Sequence, residues 1–364
     1  MELIPLFKKI LSYKTLTPDE DGFYDFLKSY LSDFIIIENE KNSVKNIFLY
    51  KKYSEGPHLC FAGHIDVVPA GDNWKTDPFI PHEEDGYIYA RGAQDMKSGL
   101  TCFIKAIKDT KTFNGTLSLL ITSDEEGPGI DGTQYMLKVL KEKNLLPDMG
   151  VVAEPTCSKI LGDTVKIGRR GSINGIINII GKQTHAAYPE KGINPINIIA
   201  PLLSSIAGVK LDDGDDSFDP SLLVITDIRG GMEVTNVTPA NVKIMFNVRN
   251  STKTSKEKLK TFIESKLKDI NYTLELTQGS FPFVTQKDSK LVKVVQNSIK
   301  EVTNIEPTLS TTGGTSDARY FAPHNIPTVE FGVINDTIHA INERTSIKEV
   351  NQVYEIFKDV ISKI

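Results

Sequence analysis

Cysteine is scarce in this 364-residue chain: Cys60, Cys102 and Cys157 are the only three, widely separated and in no Cys-x-x-Cys pair. That scarcity argues against a disulfide framework or a thiolate zinc site and leaves the thiols as small buried hydrophobes of a reducing compartment. Long apolar runs are also missing. No segment approaches the roughly 18–20 consecutive apolar residues of a membrane-spanning helix. The start MELIPLFKKILSYKTLTPDEDG lacks the apolar core and small-residue cleavage site of a secretory signal, so a cytoplasmic protein is expected. Clustered cations are absent as well: no run of five Lys or Arg occurs, and 42 Lys+Arg against 47 Asp+Glu leave a formal charge of −5. Nucleic acid is therefore disfavoured as the main partner, and a small molecule fits better.

What is present is enough apolar material, 40% of the residues, for a core of about two domains at roughly 100–200 residues each. With no need of a metal staple, any bound metal is expected to be catalytic. Residues 1–150 alternate helix-like and strand-like segments. Leu31–Ile37 leads from a helical pattern into a β-rich run, and Asn46–Tyr50, His58–Gly63, Leu117–Thr122 and Gly150–Ala153 read as buried strands. Met96, Leu100, Phe103, Ile104 and Ile107 share one helix face. Short continuous apolar strands between helices predict an α/β sheet covered on both faces.

After Gly168 the pattern changes. Ile173–Ile180 reads as a strand, Pro195–Val209 a helix, Leu222–Arg229 and Val242–Val248 strands, Lys256–Leu267 a helix and Tyr272–Leu276 a strand. This βαββαβ order is that of a ferredoxin-like module. The acidic stretch Asp212–Asp216 within it is expected to be a solvated loop, since it lacks the spaced ligands of a calcium loop. From Phe283 the α/β alternation resumes, with Leu291–Val302 and Ile347–Ile361 helical and Thr328–Phe331 a strand. The prediction is a discontinuous first domain, 1–170 and 283–364, with a second, 171–282, inserted into it.

Metal-competent residues interrupt the apolar strands. His64-Ile65-Asp66 ends one, and a His that binds a metal through one nitrogen usually gives its other N–H to a carboxylate such as Asp66. Taken alone, a hydrogen-bonded core histidine explains His64 equally well. Asp95, just before a helix, serves equally as its N-cap. Asp124-Glu125-Glu126 closes another strand with three consecutive carboxylates, which need water, protons or a cation to coexist. Glu154 repeats the device, and Thr337-Ile338-His339 supplies a second imidazole. Ligands of open α/β sheets collect beyond the carboxyl ends of strands, where these residues fall. Mixed N/O donors without thiolate suit Zn²⁺, Co²⁺ or Mn²⁺. Five or more ligands are too many for one open zinc site and suit two metals about 3.5–4 Å apart.

Together, Gly63-His-Ile-Asp-Val-Val-Pro69, Gly92-Ala-Gln-Asp-Met-Lys-Ser-Gly99, Asp124-Glu-Glu126, Ala153-Glu-Pro-Thr156, Gly168-Arg-Arg-Gly-Ser172 and Gly313-Gly-Thr-Ser-Asp-Ala-Arg319 resemble the M20 metallopeptidase/deacylase family over essentially the whole chain. The resemblance implies a metallopeptidase-like catalytic domain, with a mixed central sheet and helices on both faces, and an inserted dimerisation or lid domain. It implies that His64 and Glu154 bind one Zn²⁺, Glu126 and His339 a second, and Asp95 both, with Co²⁺ able to substitute. It makes Asp66 the residue that orients His64 and Glu125 the general base. It further implies a homodimer in which His185, in Gly181-Lys-Gln-Thr-His-Ala-Ala-Tyr-Pro189, reaches the partner's active site to stabilise the oxyanion.

A substrate with several carboxylates needs cations. Arg169, Arg170 and Arg249 are candidates because Arg binds carboxylates bidentately. Asn236, Gly314, Thr315 and Asn335 are family-like substrate positions, and Gly313-Gly314 suits a tight turn. His58, His82 and His324 have no such context and are read as structural or exposed. The last two quoted motifs tilt the expected reaction toward hydrolysis of the succinyl amide of a diamino diacid in amino-acid biosynthesis. Acetylornithine deacetylases, aminoacylases and carboxypeptidases share the metal residues, so they remain open. A non-catalytic binding or dimerisation protein on the same fold is the alternative of a different class, and the retained Glu125 speaks against it.

Overall fold

The computed structural model describes residues 1–364. The chain divides into two compact units: Met1–Gly168, Thr285–Ser310 and Ser316–Ile364 form the larger, and Arg169–Val284 with Thr311–Thr315 the smaller. No helix is long and apolar enough to cross a membrane.

The larger unit is built on an eight-stranded mixed sheet. Its strands lie in the order Ile35–Lys41, Val44–Lys52, Thr116–Thr122, His58–His64, Met149–Val152, Thr328–Glu330, Thr164–Lys166, Thr308–Ser310. Neighbours from Thr116–Thr122 to Thr328–Glu330 are parallel, and the first two strands join them antiparallel. Leu59, Cys60, Phe61 and Ala62 are all inaccessible to solvent, although successive side chains of a strand point to opposite faces, so both faces are covered there. Phe103, on the helix Lys97–Asp109, lies between Phe61 and Phe357, with ring centroids 4.3 and 4.2 Å away. Phe357 belongs to the helix Ile347–Lys363, which starts where the Ser346 side chain accepts a hydrogen bond from Lys348 N. The three cysteines are buried and free, as expected.

The smaller unit is a four-stranded antiparallel sheet in the order Leu223–Gly230, Asn241–Val248, Ser172–Ile180, Tyr272–Ser280. Alternate residues along the strands, among them Ile173, Ile177, Ile179, Val242, Ile244 and Phe246, meet Ile199, Leu259 and Ile263 of the helical segments in one core. Strand order and pairing are those of the expected βαββαβ module.

Two expectations for this module are corrected. The helix expected over Pro195–Val209 is one short α-helix, Pro195–Ile199, followed by a 3-10 turn, Ala200–Ser205. Pro201 has no N–H to continue the α ladder, and the chain tightens instead. The acidic stretch is not simply solvated either. Asp213, Asp215 and Asp216 are exposed, but Asp212 is half-buried. Its carboxylate accepts hydrogen bonds from the hydroxyls of Ser221, Ser251 and Thr254 at 2.6, 2.8 and 2.5 Å and from Gly214 N at 2.8 Å. Asp212 thus ties its own loop to residues 251–254.

Candidate active site

Three adjacent parallel strands of the larger unit, Thr116–Thr122, His58–His64 and Met149–Val152, end at the same edge of the sheet. Their carboxyl ends carry Glu125 and Glu126, His64 and Asp66, and Glu154 side by side. Two loops complete the cluster. Asp95 comes from the segment before the helix Lys97–Asp109, and His339 from the segment after Thr328–Glu330. The cap of that helix is Met96, with no side-chain bond, so the N-cap reading of Asp95 does not hold. Its carboxylate faces the two imidazoles instead. Asp95 Oδ1 lies 3.2 Å from His64 Nε2, and Oδ2 lies 3.4 Å from His339 Nε2.

His339 Nε2 is also 2.9 Å from Glu126 Oε1, and His64 Nε2 is 3.8 Å from Glu154 Oε1. One donor atom each of His64, Asp95 and Glu126 lies within 4.8 Å of the other two. Glu154 Oε1 is buried without a hydrogen-bond partner. A buried carboxylate oxygen left so is costly. The cluster thus offers oxygen and nitrogen donors, one of them unused, around a space that suits divalent cations.

The tautomer of His64 is set by Asp66, though through a different atom from the one expected. His64 Nδ1 donates to the Asp66 carbonyl oxygen at 2.9 Å, while the carboxylate is 3.6 Å away. The Asp66 carboxylate has another task. It accepts from Glu126 N at 3.1 Å, Glu125 N at 3.3 Å and the Thr17 hydroxyl at 2.8 Å, and so anchors the backbone of both acids. Thr17 belongs to none of the sequence motifs. Its only trace in the sequence is a Thr-Pro pair between the helices Leu3–Leu11 and Phe23–Tyr30.

Crowded acids in a dry site shift one another. Burial pushes the Glu125 carboxyl well above the usual range, against the pull of His64 and with the push of Asp317, Asp95 and Glu126. Burial also raises Glu154, aided by Asp95 and Glu125. Burial works against the charged form of Asp95 too, but hydrogen bonds from His339 and His64 hold it well below the usual range. His339 is pushed up to about 10 by its bonds to Asp95 and Glu126. For His64, burial opposes the charge, and Asp95, Glu154 and Asp66 overcome it. The surrounding acids thus favour the charged form of both imidazoles.

The remaining candidates fall in smaller groups. Asn335, in the larger unit, is exposed, donates from Nδ2 to Pro155 O at 3.3 Å and so sits beside Glu154. In the smaller unit, His185 is exposed on the short strand Thr184–His185, which pairs with Val237–Thr238. Ala186 N donates to Asn236 O at 2.8 Å, which brings together two motifs about fifty positions apart in the chain. Arg169 is buried and donates from Nη1 to Thr312 O at 3.0 Å, next to Gly313 at φ +105°. A Cβ at Gly313 would lie 2.5 Å from that Nη1, so the turn needs glycine for its backbone and for the close approach. Arg170 is half-buried with Nε unpartnered, Gly314 and Arg249 are exposed, and Thr315 is half-buried. Of the set-aside histidines, His58 Nε2 is paired with the Ser118 hydroxyl at 2.7 Å, and His82 is exposed.

The model of peptidase family M20/M25/M40 matches residues 60–363. A succinyl-diaminopimelate desuccinylase of Nautilia profundicola is 63% identical over 363 residues, covering 100% of both chains. One from Sulfurimonas denitrificans is 61% identical over 361 residues, covering 99% of each. Among solved structures, the aminopeptidase PepT of Bacillus cereus aligns with TM-score 0.83 at 22% identity over 99% of this chain and 97% of that one, a likeness of fold. With the family model spanning most of the chain and full-length relatives at this identity, the chain belongs to peptidase family M20/M25/M40.

Proposed function

We propose that this chain is a two-metal amidohydrolase that removes succinate from N-succinyl-L,L-2,6-diaminopimelate, releasing L,L-diaminopimelate for lysine and meso-diaminopimelate synthesis in the cytoplasm. The observation that carries the metal centre is Asp95, with one carboxylate oxygen toward each of two imidazoles. The substrate follows from the full-length desuccinylase relatives. His64 and Glu154 would hold one Zn²⁺, Glu126 and His339 the other, and Asp95 would bridge them, with Co²⁺ a workable substitute. Bound there, the ions supply Lewis acidity at the amide carbonyl and a water acidic enough to lose a proton near neutral pH.

The chain's own groups do the rest. Glu125, buried among acids, takes a proton from the attacking water and passes it to the departing amine nitrogen, and with the water's second proton also on that nitrogen the amide becomes a carboxylate and an ammonium group. Asp66 orients His64 through its carbonyl and holds the Glu125–Glu126 turn through its carboxylate. Arg169, Arg170 and Arg249 grip substrate carboxylates, while Asn236, Gly314, Thr315 and Asn335 supply hydrogen bonds around them.

The protein works as a homodimer, and His185 of each protomer stabilises the oxyanion in its partner. Two features support the dimer. Leu223–Gly230 is the edge strand of its sheet. Around it Leu222, Val224 and Ile228 are exposed large apolar side chains.

A hydrolysis panel on zinc-reconstituted protein tests the reading, with N-succinyl-L,L-diaminopimelate, N-acetylornithine, N-acyl amino acids and short peptides as substrates. Succinate release is expected to dominate. Faster turnover of N-acetylornithine or a peptide would replace the substrate while leaving the metal centre intact.

A further inference from the structure

Asp95 and His339 are the two members of the cluster that no strand end delivers, and both loops meet at one residue, Glu343. Its side chain is fully buried, and both of its oxygens are doubly occupied. Oε1 accepts from Gln94 N at 2.8 Å and Asp95 N at 3.1 Å. Oε2 accepts from Arg91 Nη1 at 2.7 Å and Gly92 N at 3.0 Å. The Glu343 carbonyl oxygen also accepts from Ala90 N at 3.1 Å. Glu343 therefore holds the backbone N–H groups of Gly92, Gln94 and Asp95 through its side chain and that of Ala90 through its carbonyl.

The same arrangement reaches His339. Arg91, stacked 5.3 Å over the Trp74 ring, donates from Nη1 to Ala340 O at 3.3 Å and from Nη2 to His339 O at 3.4 Å. Its Nη2 also donates to Ala70 O at 3.1 Å, on the segment that follows His64 and Asp66. Gln94 makes a second link, its Oε1 accepting from Thr337 N at 2.8 Å while its Nε2 donates to Asp336. Desolvating a carboxylate and a guanidinium is costly, and here both Glu343 oxygens and both Arg91 Nη atoms are hydrogen-bonded, while Arg91 Nε is buried without a partner.

We propose that Glu343 is the positioning residue for the loop-borne half of the metal centre. By fixing the Asp95 N–H, and through Arg91 the backbone at His339 and Ala340, it sets the spacing between the bridging carboxylate and the second imidazole before any cation arrives. This rests on the two-metal reading above. Groups that orient ligands in this way change metal affinity by about 10–100-fold when removed.

The test is zinc binding to folded apo protein, measured by competition with a chromophoric chelator, alongside the unfolding midpoint of the same samples. The parent is expected to bind two zinc ions. Glu343→Gln keeps the shape but aims an amide N–H₂ at N–H donors on one side, and is expected to lose about 10–100-fold in zinc affinity. Gln94→Ala removes the second link without stranding a buried charge, and is expected to move zinc affinity the same way by less. If Glu343→Gln fails to fold, Gln94→Ala alone decides. A folded variant set whose zinc affinities stay within about twofold of the parent, whatever the fall in unfolding midpoint, makes Glu343 structural and overturns the proposal. A parent that binds no zinc removes the metal reading itself, and this inference with it.

Discussion

Gly99→Ala sets two well-known effects against each other at a point two steps from the chemistry. Gly99 lies in the first turn of the helix Lys97–Asp109, where Ala in place of Gly ordinarily stabilises by up to about 1 kcal/mol. Here, however, the new Cβ would lie 2.5 Å from both Ala153 Cβ and Ala153 O. Carbon atoms settle at about 3.5–4.0 Å, so helix and strand end must separate by about 1 Å. The helix cannot move alone, because Phe103 on it is packed between Phe61 and Phe357. Overpacking of this kind costs about 1–3 kcal/mol, which cancels the helical gain and leaves a net loss of up to about 2 kcal/mol. In a unit of this size a loss of about 2 kcal/mol lowers the unfolding midpoint by about 4–8 °C. Ala153 precedes Glu154, so the displacement also reaches a proposed metal ligand, where a shift of about 1 Å is enough to cost about 100-fold in rate. Calorimetry of the apo protein and kcat of the zinc-loaded protein check both halves. A variant more stable than the parent, with unchanged kcat, would refute the packing argument.

Other expectations follow from single sites. Glu125→Gln should keep its metal while kcat falls by about 10²–10⁴, read by succinate release and elemental analysis of the same sample; equal loss of metal would make Glu125 a ligand. A mixed dimer of one His185→Ala protomer and one Glu125→Gln protomer should regain activity in one of its two sites, and failure to complement would count against action across the dimer. Asp212 carries the pH dependence of the smaller unit. Burial opposes its charge, but the Ser221, Thr254 and Ser251 hydroxyls and Gly214 N outweigh it and hold the carboxyl well below the usual range. Its contribution to stability is therefore present above the unfolded value, about 3.9, and fades as pH falls through the lower folded one. Asp212→Asn should unfold at lower temperature than the parent near neutrality, with the gap closing below about pH 4; a gap independent of pH would show that the charge is irrelevant.

The elements most legible in the sequence are those whose signal is local. Ile173–Ile180 and Val242–Val248 are apolar-rich runs that emerge as strands with alternate residues buried, and the continuous apolar run at Leu59–Ala62 emerges covered on both faces. Local signals mislead where the deciding partner is distant. Asp95 before a helix is a good cap on sequence grounds, yet its carboxylate is claimed by His64 and His339, residues far away in both directions along the chain. Proximity in the sequence gives the Asp66 carboxylate to the neighbouring imidazole, but the backbone bends after His64 and presents its carbonyl there, freeing the carboxylate for the Glu125–Glu126 turn. Pro201 is the opposite case, a local stop that the apolar periodicity across 195–209 hides in the sequence and the fold obeys.

The same distinction separates the two halves of the candidate site. His64, Glu125, Glu126 and Glu154 inherit their positions from three hydrogen-bonded neighbouring strands, whose register already sets them a strand spacing apart. The strand ends bring them to one edge, the Asp66 carboxylate then fixes the Glu125–Glu126 turn, and an acid or a His just past an apolar run is the signal that finds them. Asp95 and His339 have no such frame. Loops are ordinarily the most mobile parts of a fold, and a ligand carried on one is useful only when its backbone is held as firmly as a strand would hold it. Glu343, Arg91 and Gln94 are buried polar residues whose hydrogen bonds run to those two loops. They sit where the sheet stops providing order, which is why they carry no periodic signature and why their loss should be felt first by Asp95 and His339.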